Sequence, residues 1–116
     1  MTTSEIRRRN ISKLAERSAN FETDVETTIR RAEKAMTSFY RLAGFSLRKF
    51  YFENDGERYN ERKAARLEAK ETAWIDRVNG YLKEFNCTIN FSGLYPSIVE
   101  KCEEGGIRDL SLTAWY

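Results

Sequence analysis

Twelve cationic side chains recur in the first two thirds of this 116-residue sequence: Arg7, Arg8, Arg9, Arg30, Lys34, Arg41, Arg48, Arg58, Arg62, Arg66, Lys70 and Arg77. Guanidinium and ammonium groups set in rows suit one kind of chemistry, the holding of phosphates and carboxylates. The spacing of Arg58, Arg62, Arg66 and Lys70 is i, i+4, so like charge stands beside like charge. Each such pair destabilises an isolated helix by about 0.2–0.5 kcal/mol, where a Glu-to-Lys pair would stabilise it. A solvated helix with nothing to bind would more naturally mix its signs.

Placed at about 100° per residue, residues 57–85 show three faces. Leu67, Trp74, Val78, Tyr81 and Phe85 fall in one sector. Glu57, Glu61, Glu68 and Glu71 gather on one flank, and Arg58, Arg62, Arg66, Lys70 and Arg77 on the other. The preceding segment repeats the arrangement. Arg30, Lys34, Arg41 and Arg48 share a face, with Glu22, Glu26 and Glu33 to one side, and Arg7, Arg8 and Arg9 form a third basic cluster. Two readings stand. In one, the cations are solvated and some pair with the acidic flank of the neighbouring helix. In the other, they form a surface that meets an anion.

The chemistry that is missing narrows the function classes. There is no histidine, so the commonest general base and metal ligand are absent. No Walker-type loop or GxGxxG occurs, and Gly105-Gly106 reads as a helix stop. Cys87 and Cys102 have no zinc-type spacing and are expected as reduced, buried thiols. Asp76, Glu100 and Asp109 read as ordinary surface acids. The chain is expected to be no enzyme, with no metal and no cofactor. Nothing resembles a helix-turn-helix, an RNP motif or a zinc finger, so no base-reading device is expected.

These residues need elements to position them. Ser4 can cap a short helix through "EIRRRNISKLAERS", with Ile11, Leu14 and Ala15 on one side. Asn20 is the expected cap of the next helix, followed by Glu22, Asp24 and Glu26, acids suited to a helix N-terminus. Phe21, Val25, Ile29, Ala32, Met36, Phe39, Ala43, Leu47 and Phe50 then recur in steps of three and four, a helical stripe that carries past Gly44. Tyr40, Phe45 and Phe52 lie off that stripe and are candidate aromatic contacts, as is Trp115. "NDG" at 54–56 predicts a tight turn, and a second long helix runs from about Glu57 to Phe85. Further on, "CTINF" and "IRDLSLTAWY" alternate as strands do, around a short helix in "PSIVEKCEE". "LRKFYF" at 47–52 is a competing strand reading.

The expected fold is α+β and mostly helical: a long antiparallel helical hairpin, an N-terminal helix and a small C-terminal element resembling β-α-β. One domain covers 1–116, with a basic helix at 1–20, the hairpin at 21–85 and the β/α element at 86–116. No apolar run approaches the roughly 18 residues that span a bilayer, and the first residues lack a secretory h-region, so a cytoplasmic, non-membrane protein is expected. The net charge of +2 hides asymmetry: residues 1–20 hold five basic and two acidic side chains, residues 87–116 two basic and four acidic. The leading functional expectation is a small non-enzymatic binding protein that docks on a nucleic-acid-processing complex through basic helical faces. A phage- or plasmid-encoded inhibitor of a defence nuclease, of the anti-CRISPR kind, would have this size and this lack of catalytic motifs. The alternatives are a sequence-independent DNA- or RNA-binding accessory protein, and a structural helical protein that forms homo-oligomers.

Overall fold

The computed structural model describes residues 3–92 and 95–100, and they are mostly helical. Helices α1 (Thr3–Ala15), α2 (Val25–Glu53) and α3 (Glu61–Leu82) are followed by one 3-10 turn, Lys83–Phe85, and by strands β1 (Cys87–Ser92) and β2 (Tyr95–Glu100). Among the described residues no helix is long and apolar enough to cross a membrane.

Local capping sets the boundaries, and several differ from the sequence expectation. α1 begins at Thr3, so Ser4 lies inside it rather than at its cap. α2 is capped by Asp24, whose carboxylate accepts from the Thr27 N–H at 3.2 Å, and not by Asn20. The Asn20 carbonyl instead accepts from the Asp24 N–H at 2.9 Å and from the Thr28 hydroxyl at 3.3 Å. These bonds close a turn ahead of the helix and delay its start. The link after α2 is longer than a tight NDG turn. Asp55 accepts from the N–H groups of Glu57 and Arg58, and Asn60 accepts from Arg62 at 2.9 Å and Lys63 at 3.2 Å. Asn60 is therefore the N-cap of α3, and Glu57 and Arg58 belong to the turn.

Residues 47–52 are helical, which overturns the competing strand reading there. The end of the described chain brings a second correction. Pro96 to Glu100 lie in β2, antiparallel to β1, with Cys87 opposite Glu100 and Ile89 opposite Ile98. The helical reading of that stretch rested on Ser92, Pro96 and the Gly105-Gly106 pair that bracket it. The β-branched Ile98 and Val99 and the open edge of β1 favour pairing instead. The described part of the β/α element is thus a two-stranded sheet. The rest of the helix expected there, with Cys102, lies outside the described residues, as do Trp115 and the expected strand at 107–116.

α2 and α3 run antiparallel, because residues 31, 34, 45, 49 and 52 meet residues 84, 81, 74, 71 and 63 respectively. The core lies between these helices, α1 and the start of β1. Phe39, Phe85, Leu14, Met36, Leu42, Leu82 and Val78 are its largest fully enclosed side chains apart from Asn10 and Thr28. The inward face of α2 is centred on Ala32, Ala35, Phe39 and Leu42, slightly rotated from the stripe read in the sequence. Val25, placed in that stripe, is 45% exposed. Asn79 holds the sheet to α3, its Oδ1 accepting from the Ile89 N–H at 2.8 Å and the Thr88 hydroxyl at 3.2 Å. Asn86 turns the chain into β1 with φ 56°, a left-handed conformation that asparagine tolerates better than most residues.

Phe39→Ala is expected to destabilise the fold by about 3–5 kcal/mol, and Val25→Ala by no more than about 0.5 kcal/mol. Urea denaturation of the two variants measures both, and equal losses would mean that the inward face of α2 is misassigned.

Candidate functional site

Helical phase and the contacts across α2 and α3 together decide where the cations lie. On α2, Arg30, Lys34, Arg41 and Arg48 fall within a sector of about 40°. Phe45 and Phe52 follow on its α3-facing side. On α3, Arg62, Arg66, Lys70 and Arg77 fall within about 80°, with Lys63, Tyr81 and Trp74 on the α2-facing side. Four contacts join these two edges. Lys34 stands over the Tyr81 ring at 4.7 Å, Lys70 over Phe45 at 5.2 Å, and Lys63 over Phe52 at 4.6 Å. The rings of Phe45 and Trp74 meet at 5.6 Å. The two basic sectors therefore form one face, with an aromatic seam between the helices and lysines reaching across it.

All nine of these cations are exposed. No acidic residue of α2 or α3 shares the sector, since Glu26, Glu33 and Asp76 fall outside it by phase. The ion pairs lie elsewhere. Lys49 joins Glu53 at 2.8 Å and Glu71 at 3.6 Å within the α2–α3 contact. Burial pulls the Lys49 pKa down, but the hydrogen bond to Glu53 and the charges of Glu71, Glu53 and Glu68 outweigh it and leave the pKa above its ordinary value. Arg31 joins Glu84 at 2.6 Å, and Glu84 also accepts from the Ser18 hydroxyl at 3.0 Å. Glu84 thus ties the α1–α2 link to the end of α3. Apart from Asp55 in the turn, these acids pair where elements meet, and among the described residues no ion pair reaches the nine cations of this face.

The sequence-selected residues separate into groups. Arg30, Lys34, Arg41, Arg48, Arg62, Arg66, Lys70 and Arg77 come together on the α2–α3 face. Arg58 does not join them: it sits in the turn, 3.7 Å from Asp55. Arg8 and Arg9 are exposed on α1, which packs against α2 beside Tyr40, away from the seam. Arg7 is half-buried, its guanidinium 4.5 Å above the Tyr40 ring. Tyr40 and Phe45 are each only 8% exposed. They are core residues, which corrects their assignment as surface contacts, because α1 covers one and Trp74 with Lys70 covers the other. Phe52 is half-buried beneath Lys63.

Sequence reasoning passed over Lys63, although it stands seven residues before Lys70 and so on the same helical face. It also passed over Asn10, which is fully buried and donates to the Tyr40 hydroxyl at 3.1 Å. No protein family, curated protein or solved structure matches this chain.

Burial raises the Tyr40 pKa above its ordinary value, against smaller opposing effects of the Asn10 hydrogen bond and the Arg7 charge. The folded state holds the phenol proton more tightly than the unfolded chain. The resulting stability is therefore complete below the unfolded value of about 10 and is lost as pH rises through the folded value. The stability difference between the native protein and Tyr40→Phe should stay level up to about pH 10 and then shift against the native protein. Denaturant titrations of both across pH 8–12 check this, and a flat difference would mean that Tyr40 ionises as readily in the fold as out of it.

Proposed function

We propose that this chain is a small non-enzymatic binding protein that docks on nucleic acid within a nucleic-acid-processing complex, and that α2 and α3, a long helical hairpin, carry the contact. One observation carries the reading: nine exposed cations from two helices share a single face that no acid of either helix enters. Along the helix axes their positions interleave over about 35 Å, at roughly 1.5 Å per residue. An extended array of this kind suits a polyanion of repeating charge better than an isolated acidic patch.

The details favour phosphate contact over base reading. The aromatic seam is packed or roofed by lysines, so its rings offer no open platform on which bases could stack. The α2–α3 surface is the outside of a two-helix layer, with no single helix projecting as a reading head for a groove. Binding is therefore independent of sequence and dominated by counterion release. A protein that covers phosphates in this way competes with an enzyme for them, which is how an inhibitor of a nuclease could act.

Arg66→Gln combined with Arg77→Gln should leave stability within about 0.5 kcal/mol of the native protein. It should reduce the slope of log affinity against log salt on a generic duplex by about two, one for each phosphate that is no longer neutralised. Thermal melting and fluorescence anisotropy at several salt concentrations measure the pair. A collapse in melting would make the arginines structural. Retention of both melting and slope would mean that the face meets only water. Tight binding to polyglutamate with none to the duplex would replace nucleic acid by an acidic protein surface.

A further inference from the structure

The cleft between α1 and α2 has a chemistry of its own. It has a volume of about 330 Å³ and is lined by Arg7, Ile11, Thr37, Tyr40 and Arg41. Two arginines and two hydroxyl-bearing residues thus line one hollow, and no acid among the described residues does. The spacing explains the convergence. Thr37, Tyr40 and Arg41 are i, i+3 and i+4 on α2, while Arg7 and Ile11 are i and i+4 on α1, so each set forms one ridge of its helix. Neither Arg7 nor Arg41 has an ion pair among the described residues; the Arg31–Glu84 and Lys49–Glu71 pairs show that this fold neutralises cations elsewhere.

Arg7 is the unusual member. Its guanidinium carbon lies over the Tyr40 ring, 4.5 Å from the centroid. A guanidinium that meets a ring by its face keeps the N–H donors along its edge for other partners. The Nε is enclosed and has no acceptor among the described residues, a state that buried donors rarely keep. Tyr40 already accepts from Asn10 at 3.1 Å, so its own hydroxyl proton is available to a second partner. The neighbouring cleft contains Arg7, Arg8 and Glu33, yet Glu33 makes no ion pair with either arginine among the described residues.

We propose that the α1–α2 cleft is an oxyanion site for a phosphate group, with Arg7 and Arg41 supplying charge-assisted hydrogen bonds and Thr37 and Tyr40 supplying hydroxyl donors. A planar guanidinium fork held over a ring matches the paired oxygens of a phosphate. A water's share of liquid volume is about 30 Å³, so the cleft has room for a tetrahedral anion with several waters. The site is distinct from the α2–α3 face, although Arg41 stands at the border of both. Its ligand is either free phosphate or one phosphodiester of a bound strand.

The test is a titration of the full-length protein with inorganic phosphate, followed by amide and arginine Nε–H resonances. Saturable shifts confined to Arg7, Thr37, Tyr40 and Arg41 are expected, while acetate at equal ionic strength gives none. Arg7→Lys keeps the charge but removes the fork, and should weaken phosphate binding about tenfold with melting retained. Arg66→Gln with Arg77→Gln should leave phosphate binding unchanged even where duplex binding falls, so the two proposals fail separately. A short oligonucleotide that displaces phosphate identifies a strand as the source, and one that does not identifies free phosphate; either supports the site. Shifts that never saturate, that spread over the α3 cations, or that persist unchanged in Arg7→Lys would overturn it. If Arg7→Lys fails to fold, Thr37→Val takes its place and should weaken binding measurably.

Discussion

Phe39 has no exposed surface, and the packing around it fixes most of what this protein presents to its surroundings. α2 contacts α1, α3 and β2. Its buried residues sweep from Phe45 through Leu42, Phe39 and Met36 to Tyr40, an arc of about 220° at 100° per residue. An element buried over so much of its circumference has one strip left for water. Arg30, Lys34, Arg41 and Arg48 occupy the α3-facing part of that strip, with Glu26 and Glu33 along its other edge. The cationic face is therefore set by the core: rotating α2 to hide the arginines would expose Phe39 and Leu42 and forfeit several kcal/mol of burial.

The same packing seats three of the nine cations on the opposite helix. Lys34, Lys63 and Lys70 lie over aromatic rings of the opposite helix. Each such contact contributes about 0.5–1 kcal/mol at an exposed site. The stems of these lysines cover apolar surface while the ammonium groups stay in water. Side chains held in place before a partner arrives lose less entropy on binding. By contrast, Lys49 and Arg31 are spent on carboxylates where elements meet. The fold sorts its cations in this way. Lys49 and Arg31 are paired with carboxylates and hold the structure, whereas Lys34, Lys63 and Lys70 rest on rings with their charge unpaired among the described residues.

α1 adds a second environment to the same helix. It covers Tyr40 and brings Arg7 over that ring. Just beyond its end, Arg17 reaches the far end of α3, its Nε donating to the Phe85 carbonyl at 2.9 Å. The arginine cluster of the N-terminal segment therefore does not act as one unit. Arg7 is drawn into the contact with α2, while Arg8 and Arg9 remain exposed. Three adjacent residues on a helix point about 100° apart, so only one of them can face the neighbour.

Helical content, the long stripe of α2 and the opposed rows of like charge on both helices were legible in the sequence, because each depends only on a period of 3.6 residues and on which side chains avoid water. The N-caps were less so: Asn20 and Glu57 are the starts expected from the sequence, and turns closed by bonds such as Thr28 to the Asn20 carbonyl move the caps to Asp24 and Asn60. The strand at Tyr95–Glu100 was misread because its partner, β1, supplies hydrogen bonds that local propensity does not see. Tyr40 and Phe45 lay off the stripe by phase, and only the arrival of α1 on one side and Trp74 on the other buried them. That the basic rows of α2 and α3 form one face was a tertiary decision too. Each row is a property of its own helix, but their relative rotation is set by which apolar residues meet, and Phe45 against Trp74 turns both rows to the same side.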